Sequence, residues 1–221
     1  MNINQFHIAG INYKKTDASV RGLFAVSDDQ YDAVLELAEF KKVGELFILS
    51  TCNRTEIYGL ASSVDTLIEL LCTQTRGDID TFRSLAYIKQ GHKAVEHLYT
   101  VAAGLDSQII GDYEIVGQIK QAAKFAKSRG FIGSFIERLL NSVLQSSKAI
   151  KTQTALSGGT VSVSFAAIQF LKDTVIDIPN KKIVLLGTGK IGNNTCKNLV
   201  DYLQTKNITL INRTEDKAAE L

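Results

Sequence analysis

The sequence predicts an α/β protein in two parts. An α+β domain is expected over residues 1–157, and the beginning of a doubly wound parallel domain over residues 158–221. Three observations lead there. An apolar run at residues 46–49 and an alternating stretch at residues 55–60 flank a short polar run, as two strands flank a tight loop. Residues 117–157 keep a helical pattern that breaks only near Arg129-Gly130. Finally, the apolar stretch Lys182-Ile183-Val184-Leu185-Leu186 leads into a glycine-rich turn, a helical pattern at residues 193–203 and a second apolar run at residues 208–211.

The totals set bounds. The chain has 221 residues, 45% hydrophobic and 22% charged, with a formal net charge of +2, an ordinary balance for a globular protein. A charge that small is no argument for nucleic acid by itself. Three widely spaced cysteines make neither a disulfide framework nor a metal cluster, so no metal is expected and a reducing compartment is the simpler reading. Residues 1–10 lack the basic start and apolar core of a signal peptide. No apolar run approaches the ~20 residues that span a bilayer. The expectation is a cytoplasmic protein with no membrane partner.

The elements follow in order. Phe6-His7-Ile8-Ala9-Gly10-Ile11 reads as a first strand ending in the polar turn 12–16. Ser27-Asp28-Asp29 starts a helix whose apolar face is Tyr31, Val34, Leu35 and Ala38. After the two central strands, residues 64–72 form a helix with Val64, Leu67, Ile68 and Leu71 as its stripe, and Cys72 closes that stripe as a core residue. Ala86-Tyr87-Ile88 reads as a further strand. His92 opens the next helix, and His97 sits inside it near Val95, Leu98, Val101 and Leu105.

Between the central strands, Ser50-Thr51-Cys52-Asn53-Arg54 forms a loop with Cys52 at its tip. A loop mounted on two strands holds a reactive group rigidly. A free thiol has a pKa of about 8.5, and the Arg54 charge two residues on favours the thiolate. Local chemistry leaves Cys52 open between a nucleophile and a small packed side chain. The polar neighbourhood suits a polar substrate better than packing.

Ser50-Thr51-Cys52-Asn53-Arg54-Thr55-Glu56 resembles the nucleophile motif of the glutamyl-tRNA reductases, which open the five-carbon route to tetrapyrroles such as porphyrins and haem. His92-x-x-x-x-His97-Leu98 followed by Ala103-Gly104-Leu105-Asp106-Ser107 is similar to the family's second motif, whose histidine assists catalysis. Alone, His97 would read as a satisfied core histidine. Gly111-Asp112-Tyr113-Glu114-Ile115-Val116-Gly117-Gln118 continues the likeness, with Asp112-Tyr113-Glu114 where the family commonly has Glu-Pro-Gln. Tyr13-Lys14 likewise stands where a His-Lys pair is usual. The resemblance implies catalytic roles for Cys52 and His97. It implies a glutamyl pocket lined by Thr51, Asn53, Arg54, Ser107, Asp112, Tyr113, Glu114 and Gln118. Asp112 and Glu114 would equally suit a helix N-terminus, where acids are favoured.

Seven cations, Lys120, Lys124, Lys127, Arg129, Arg138, Lys148 and Lys151, face the single acid Glu137 across residues 117–157. Such a surplus is either a solvated helix face or an RNA-binding one. The resemblance favours RNA.

The third signal, Gly187-Thr188-Gly189-Lys190-Ile191-Gly192, lies between strand and helix within a ~30-residue βαβ unit. Glycines there permit a tight turn and close approach to a pyrophosphate at a helix N-terminus, the Rossmann-type dinucleotide site. The next strand ends in Asn212-Arg213-Thr214 rather than an acid, which suits the extra phosphate of NADPH. Cys196 on the helix reads as packing. Two strands are too few for a doubly wound sheet, so the chain reads as part of a longer family member, without its dimerisation domain and with an unpaired sheet edge.

The resemblance thus implies NADPH-dependent reduction of glutamyl-tRNA to glutamate semialdehyde through a Cys52 thioester. Its partners would be glutamyl-tRNA, glutamate semialdehyde aminomutase and, for the full-length protein, a second copy in a homodimer. The rival readings are a thiol hydrolase or acyl transferase, a tRNA-binding regulator, and a general NADP dehydrogenase that would leave the Cys52 loop without a task.

Overall fold

The computed structural model describes residues 2–157, 163–205 and 207–219. The chain divides into two units, Met1–Leu156 and Ser157–Leu221. Gly158-Gly159, at the boundary expected between residues 157 and 158, lie outside the described residues.

Unit one runs β1 (Phe6–Asn12), α1 (Ala18–Leu23), α2 (Asp28–Phe40), β2 (Leu46–Ser50), β3 (Arg54–Leu60), α3 (Val64–Thr73), α4 (Ile79–Leu85), β4 (Tyr87–Gln90), α5 (His92–Ala102), α6 (Glu114–Ser128) and α7 (Ser134–Gln153). The strands form one antiparallel sheet in the order β2-β3-β1-β4. All seven residues of the interior strand β1 are buried, so both faces of the sheet are covered. The expected stripes face the core: Tyr31, Val34, Leu35 and Ala38 of α2, and Leu67, Ile68 and Leu71 of α3, with Cys72 buried beside them.

Two short helices, α1 and α4, were not foreseen. Each is set by an aspartate N-cap: Asp17 accepts from the Val20 amide, and Asp78 from those of Asp80 and Thr81. At the predicted break between α6 and α7, Gly130 takes φ +81°. The Phe131 amide returns to the Ala126 carbonyl and that of Gly130 to Lys127, a Schellman closure that a side chain at residue 130 would strain.

β2 and β3 make a hairpin from Leu46↔Gly59 to Ser50↔Thr55. Along β3, alternate residues share a face. Arg54, Glu56 and Tyr58 therefore point one way, and Gly10 lies directly across from Glu56 on β1. That glycine is needed: a Cβ on it would come 2.6 Å from Glu56 Cγ and 3.1 Å from the Tyr87 hydroxyl.

Unit two contains α8 (Val163–Thr174), β5 (Ile183–Leu186), α9 (Lys190–Leu203), β6 (Ile208–Ile211) and the short α10 (Asp216–Ala219). β5 and β6 pair in parallel from Ile183↔Ile208 to Leu186↔Ile211. A small core of Ile168, Ile178, Leu199 and Leu203 packs against Ile183 and Ile208. Cys196 is buried, as expected of a packing residue. The alternate strand residues Val184, Leu186 and Ile211 stay exposed on the other face.

Candidate active site

The site begins with a three-residue turn. Thr51 closes it: its amide donates to the Arg54 carbonyl at 2.8 Å, and its hydroxyl accepts from the Asn53 and Arg54 amides at 3.2 and 3.1 Å. The Asn53 carbonyl accepts from the Tyr13 amide, tying the turn to the end of β1. Cys52 is left exposed at the tip. Arg21, on α1, donates from Nε to the Cys52 carbonyl at 3.0 Å and from Nη1 to the Thr16 carbonyl. A cation thus braces the thiol-bearing loop from a helix that the sequence pattern did not disclose.

Arg54 does something other than expected. Its side chain is turned inward and only 1% exposed. Nη1 lies 3.0 Å from Glu56 Oε1, and Nη2 lies 3.1 Å from Asp106 Oδ2 while also donating to the Asp106 carbonyl. With two carboxylates on one guanidinium, Arg54 is no lone cation beside the thiol. Burying a charge is costly unless it is paired, and this pairing is what fixes the side chain inward.

Glu56 is completely buried and accepts from four donors: Arg54, His97 Nε2 at 2.7 Å, and the Tyr58 and Tyr87 hydroxyls. Burial alone would raise its pKa. The Arg54 charge and the hydrogen bonds from His97 and Tyr58 overcome that and bring it down to about 2. The same environment pushes the Tyr58 and Tyr87 hydroxyls upward, chiefly through burial and then the Glu56 charge. An ionised carboxylate can only accept, so His97 Nε2 is the donor to Glu56.

Asp106 balances the other side. It takes Lys14 on Oδ1, and Arg54 and Asn12 on Oδ2. Burial works to raise its carboxyl, but Lys14 and Arg54 hold it below the usual range. The cluster thus sets two carboxylates against two fixed cations.

The remaining predicted residues lie nearby in the chain but in other surroundings. Ser107 is half-buried, and its carbonyl accepts from the Tyr13 hydroxyl at 3.1 Å. Asp112 accepts from the Glu114 amide at 2.9 Å where α6 begins. The Tyr113 ring lies under Lys151 Nζ, 4.8 Å from its centroid, and its buried hydroxyl has no hydrogen-bond partner among the described residues. Gln118 lies one turn further on, in a cavity it shares with Ser50. Sequence reasoning missed Arg21, Tyr58, Tyr87 and the carboxylate roles of Glu56 and Asp106. A period-2 reading of Arg54, Glu56 and Tyr58 on one face would have found part of this.

In unit two, Gly187 takes φ +90°, and a Cβ on Gly192 would fall 2.0 Å from the Gly187 carbonyl oxygen, so the turn requires both glycines. Gly189 is the N-cap of α9, and Ile191 is half exposed with its carbonyl accepting from Ser164. A cavity of about 190 Å³ is lined by Thr188, Gly189, Asn212, Arg213, Thr214 and Lys217. Its lining has two cations and no carboxylate, and the buried Thr188 hydroxyl has no hydrogen-bond partner among the described residues. Backbone amides at a helix start beside two cations fit a phosphorylated dinucleotide.

Fold and site define an α/β protein with a hairpin-mounted thiol two residues from a buried, charge-balanced cluster, followed in the chain by a glycine-turn nucleotide-type unit. Comparison with known proteins agrees. The model of the glutamyl-tRNA(Glu) reductase N-terminal domain matches residues 9–154, and that of shikimate/quinate 5-dehydrogenase matches residues 169–221. A glutamyl-tRNA reductase of Flavobacterium psychrophilum is 48% identical over 218 residues, covering 99% of this chain and 53% of the relative. That of Christiangramia forsetii is 45% identical over 216 residues, covering 98% and 52%. The solved glutamyl-tRNA reductase from Methanopyrus kandleri superposes with a TM-score of 0.65 at 27% identity, covering 98% of this chain and 51% of that one. The chain belongs to the glutamyl-tRNA reductase family. It spans about half the length of the relatives it matches.

Proposed function

We propose that this chain carries the reactive thiol and the dinucleotide site of an NADPH-dependent glutamyl-tRNA reductase, which forms glutamate semialdehyde at the start of tetrapyrrole synthesis. The observation that carries the reading is Cys52, exposed on a turn braced by Arg21, Tyr13 and Thr51, two residues before Arg54 of the Arg54–Glu56–His97–Asp106 cluster.

In this reading Cys52 Sγ attacks the ester carbonyl that joins glutamate to the tRNA ribose. The carbon–oxygen ester bond breaks, the ribose oxygen leaves as a hydroxyl carrying the thiol's proton, and a thioester remains on Cys52. His97, its Nε2–H fixed on Glu56, turns Nδ1 toward proton transfer or substrate placement. Thr51, Asn53, Ser107, Asp112, Tyr113, Glu114 and Gln118 form the polar surroundings of the glutamyl group. Arg54, buried and shared between Glu56 and Asp106, supports this surface from beneath and holds the turn that carries Cys52. The glycine turn from Gly187 to Gly192, with Asn212 and Arg213, would hold NADPH; when bound, that cofactor supplies the hydride that makes an aldehyde of the thioester. Glutamate semialdehyde aminomutase would take the product, and the full-length protein would act as a homodimer in the cytoplasm.

The test is cofactor oxidation with glutamyl-tRNA by the full-length protein. NADPH consumption that stops in Cys52→Ser, with NADH a poor substitute, supports the reading. Equal use of NADH at low concentration contradicts the NADPH assignment. Thiol-dependent release of glutamate unaffected by NADPH would favour the hydrolase reading.

A further inference from the structure

Residues 12–26 run as a strap beside the turn that carries the thiol. Three hydrogen bonds from this strap land on that turn and on the strand end leading into it. The Tyr13 amide donates to the Asn53 carbonyl at 2.9 Å, Arg21 Nε to the Cys52 carbonyl at 3.0 Å, and the Val26 amide to Ser50 Oγ at 3.0 Å. Tyr13 and Val26 contribute backbone groups. Of the three, Arg21 alone reaches the turn with its side chain and so brings a charge.

The arginine is held from both sides. Its Nη1 donates to the Thr16 carbonyl, and the Thr16 hydroxyl donates to the Asn12 carbonyl at 2.8 Å. Its backbone lies in the last turn of α1, where the helix dipole favours a cation. Where α1 ends, the Leu23 carbonyl accepts from the Arg76 and Gly77 amides at 3.0 and 3.1 Å. Phe24, fully buried, then packs edge-on against Phe82 with ring centroids 5.2 Å apart. These anchors do not involve the guanidinium, so replacing Arg21 spares them.

The charge is close to the sulfur and uncancelled. Standard covalent dimensions put a cysteine sulfur at most about 5 Å from its own carbonyl oxygen, so Arg21 Nε lies within about 8 Å of Cys52 Sγ. That is inside the screening length of about 10 Å at 0.1 M salt. Both printed bonds of the guanidinium go to neutral carbonyls, which leave its charge whole. Asp17, one turn earlier on α1, is engaged by the Val20 amide and the Ser19 hydroxyl. Arg54, by contrast, is buried with its charge balanced by Glu56 and Asp106. Reactive cysteines sit beside exposed cations of the first kind.

We propose that Arg21 is the positioning residue of the nucleophile: it holds the Cys52 main chain at the turn and sets a positive charge beside the sulfur. This is the part that sequence spacing suggested for Arg54. The proposal rests on Cys52 being the group that attacks glutamyl-tRNA. During that attack the sulfur is an anion, and the ester carbonyl gains negative charge as the carbon–sulfur bond forms. A fixed cation at the turn favours both without touching the leaving ribose oxygen.

The test labels Cys52 of the full-length protein with iodoacetamide, which is neutral, and with iodoacetate, which is an anion. In each case the sulfur displaces iodide from carbon, and the same thiolate serves both reagents, so their rate ratio isolates the charge beside the sulfur. Arg21→Gln keeps a donor and removes the charge; Arg21→Lys keeps the charge. The iodoacetate-to-iodoacetamide ratio at Cys52 is expected to fall about two- to six-fold in Arg21→Gln, the range for one charge at this distance near a surface, and to persist in Arg21→Lys. The buried Cys72 and Cys196 should stay unlabelled throughout, which verifies the fold. Arg21→Gln that slows both reagents alike, or neither, overturns the proposal, because a purely structural brace leaves the ratio unchanged. The parent protein alone supplies a second arm. Raising salt from about 0.01 M to about 1 M shortens the screening length from about 30 Å to about 3 Å and should lower its ratio. A parent ratio indifferent to salt overturns the proposal even if Arg21→Gln does not fold. A third arm follows Cys52 acylation at saturating glutamyl-tRNA, which should be slower in Arg21→Gln and restored in Arg21→Lys. Equal acylation in parent and Arg21→Gln leaves the thioester reading standing and removes Arg21 from it. If the labelling ratio moves while no variant is acylated, the thioester reading fails and the placement of the Arg21 charge stands.

Discussion

Arg54 Nη1 and Glu56 Oε1 lie 3.0 Å apart on one face of a single strand, two residues beyond the exposed Cys52. The arginine that follows the thiol in sequence is therefore an anchor of the buried cluster. Its removal should be felt as lost stability first. Arg54→Met leaves Glu56 and Asp106 with an uncompensated buried charge, a mechanism that costs about 3–5 kcal/mol. Urea unfolding should show that loss, and a variant within about 0.5 kcal/mol of the parent would show that the pair is not structural.

Acid sensitivity should follow from the same carboxylate. Glu56 has its folded pKa depressed to about 2 from an ordinary value near 4.5. Its contribution is therefore fully present above the unfolded value and lost as pH falls through about 4.5 towards 2. Asp106, also depressed, adds in the same direction. Circular dichroism between pH 6 and 2 should show cooperative loss of structure (roughly the window set by carboxylate linkage). Glu56→Gln should be less stable at neutral pH and flatter across that window; an unchanged slope would contradict the assignment.

Gly10→Ala tests the space made for the cluster. Its Cβ would meet Glu56 Cγ at 2.6 Å on an interior strand. Overpacking of this kind costs about 1–3 kcal/mol. A matching drop in thermal midpoint is expected, together with weaker protection of the β1 amides in hydrogen exchange.

Gly192→Ala tests the nucleotide turn. A Cβ placed 2.0 Å from the Gly187 carbonyl cannot be accommodated without opening the turn. Fluorescence titration of the full-length protein should show NADPH binding lost, while the thiol of Cys52 still reacts with an alkylating reagent. Retained NADPH affinity would remove this turn from the cofactor site.

Much of this fold was legible because hydrophobic period and turn chemistry are local. The hairpin with Cys52 at its tip, the stripes of α2 and α3, the break at Gly130 and the strand–glycine–helix–strand of unit two all follow from neighbours in sequence. α1 and α4 were missed because they are short and weakly periodic, although Asp17 and Asp78 carried cap signals. The buried cluster was missed for another reason. Asp106 reaches Arg54 across 52 positions and His97 reaches Glu56 across 41, so only the folded sheet shows that these charges cancel. The cationic stretch was likewise only half legible. Lys127 pairs with Glu137 and Arg129 with Asp32, which trims the surplus, while Lys120, Lys124 and Lys148 remain exposed.

The central claim is that Cys52 takes the glutamyl group as a thioester. Intact mass spectrometry of this chain mixed with glutamyl-tRNA, without NADPH and quenched in acid, tests it directly. The account predicts one glutamyl adduct that maps to Cys52, is missing in Cys52→Ser and accumulates more slowly in His97→Ala. An adduct mapped to another residue, or no adduct on the full-length protein while intact aminoacyl-tRNA remains, would contradict it.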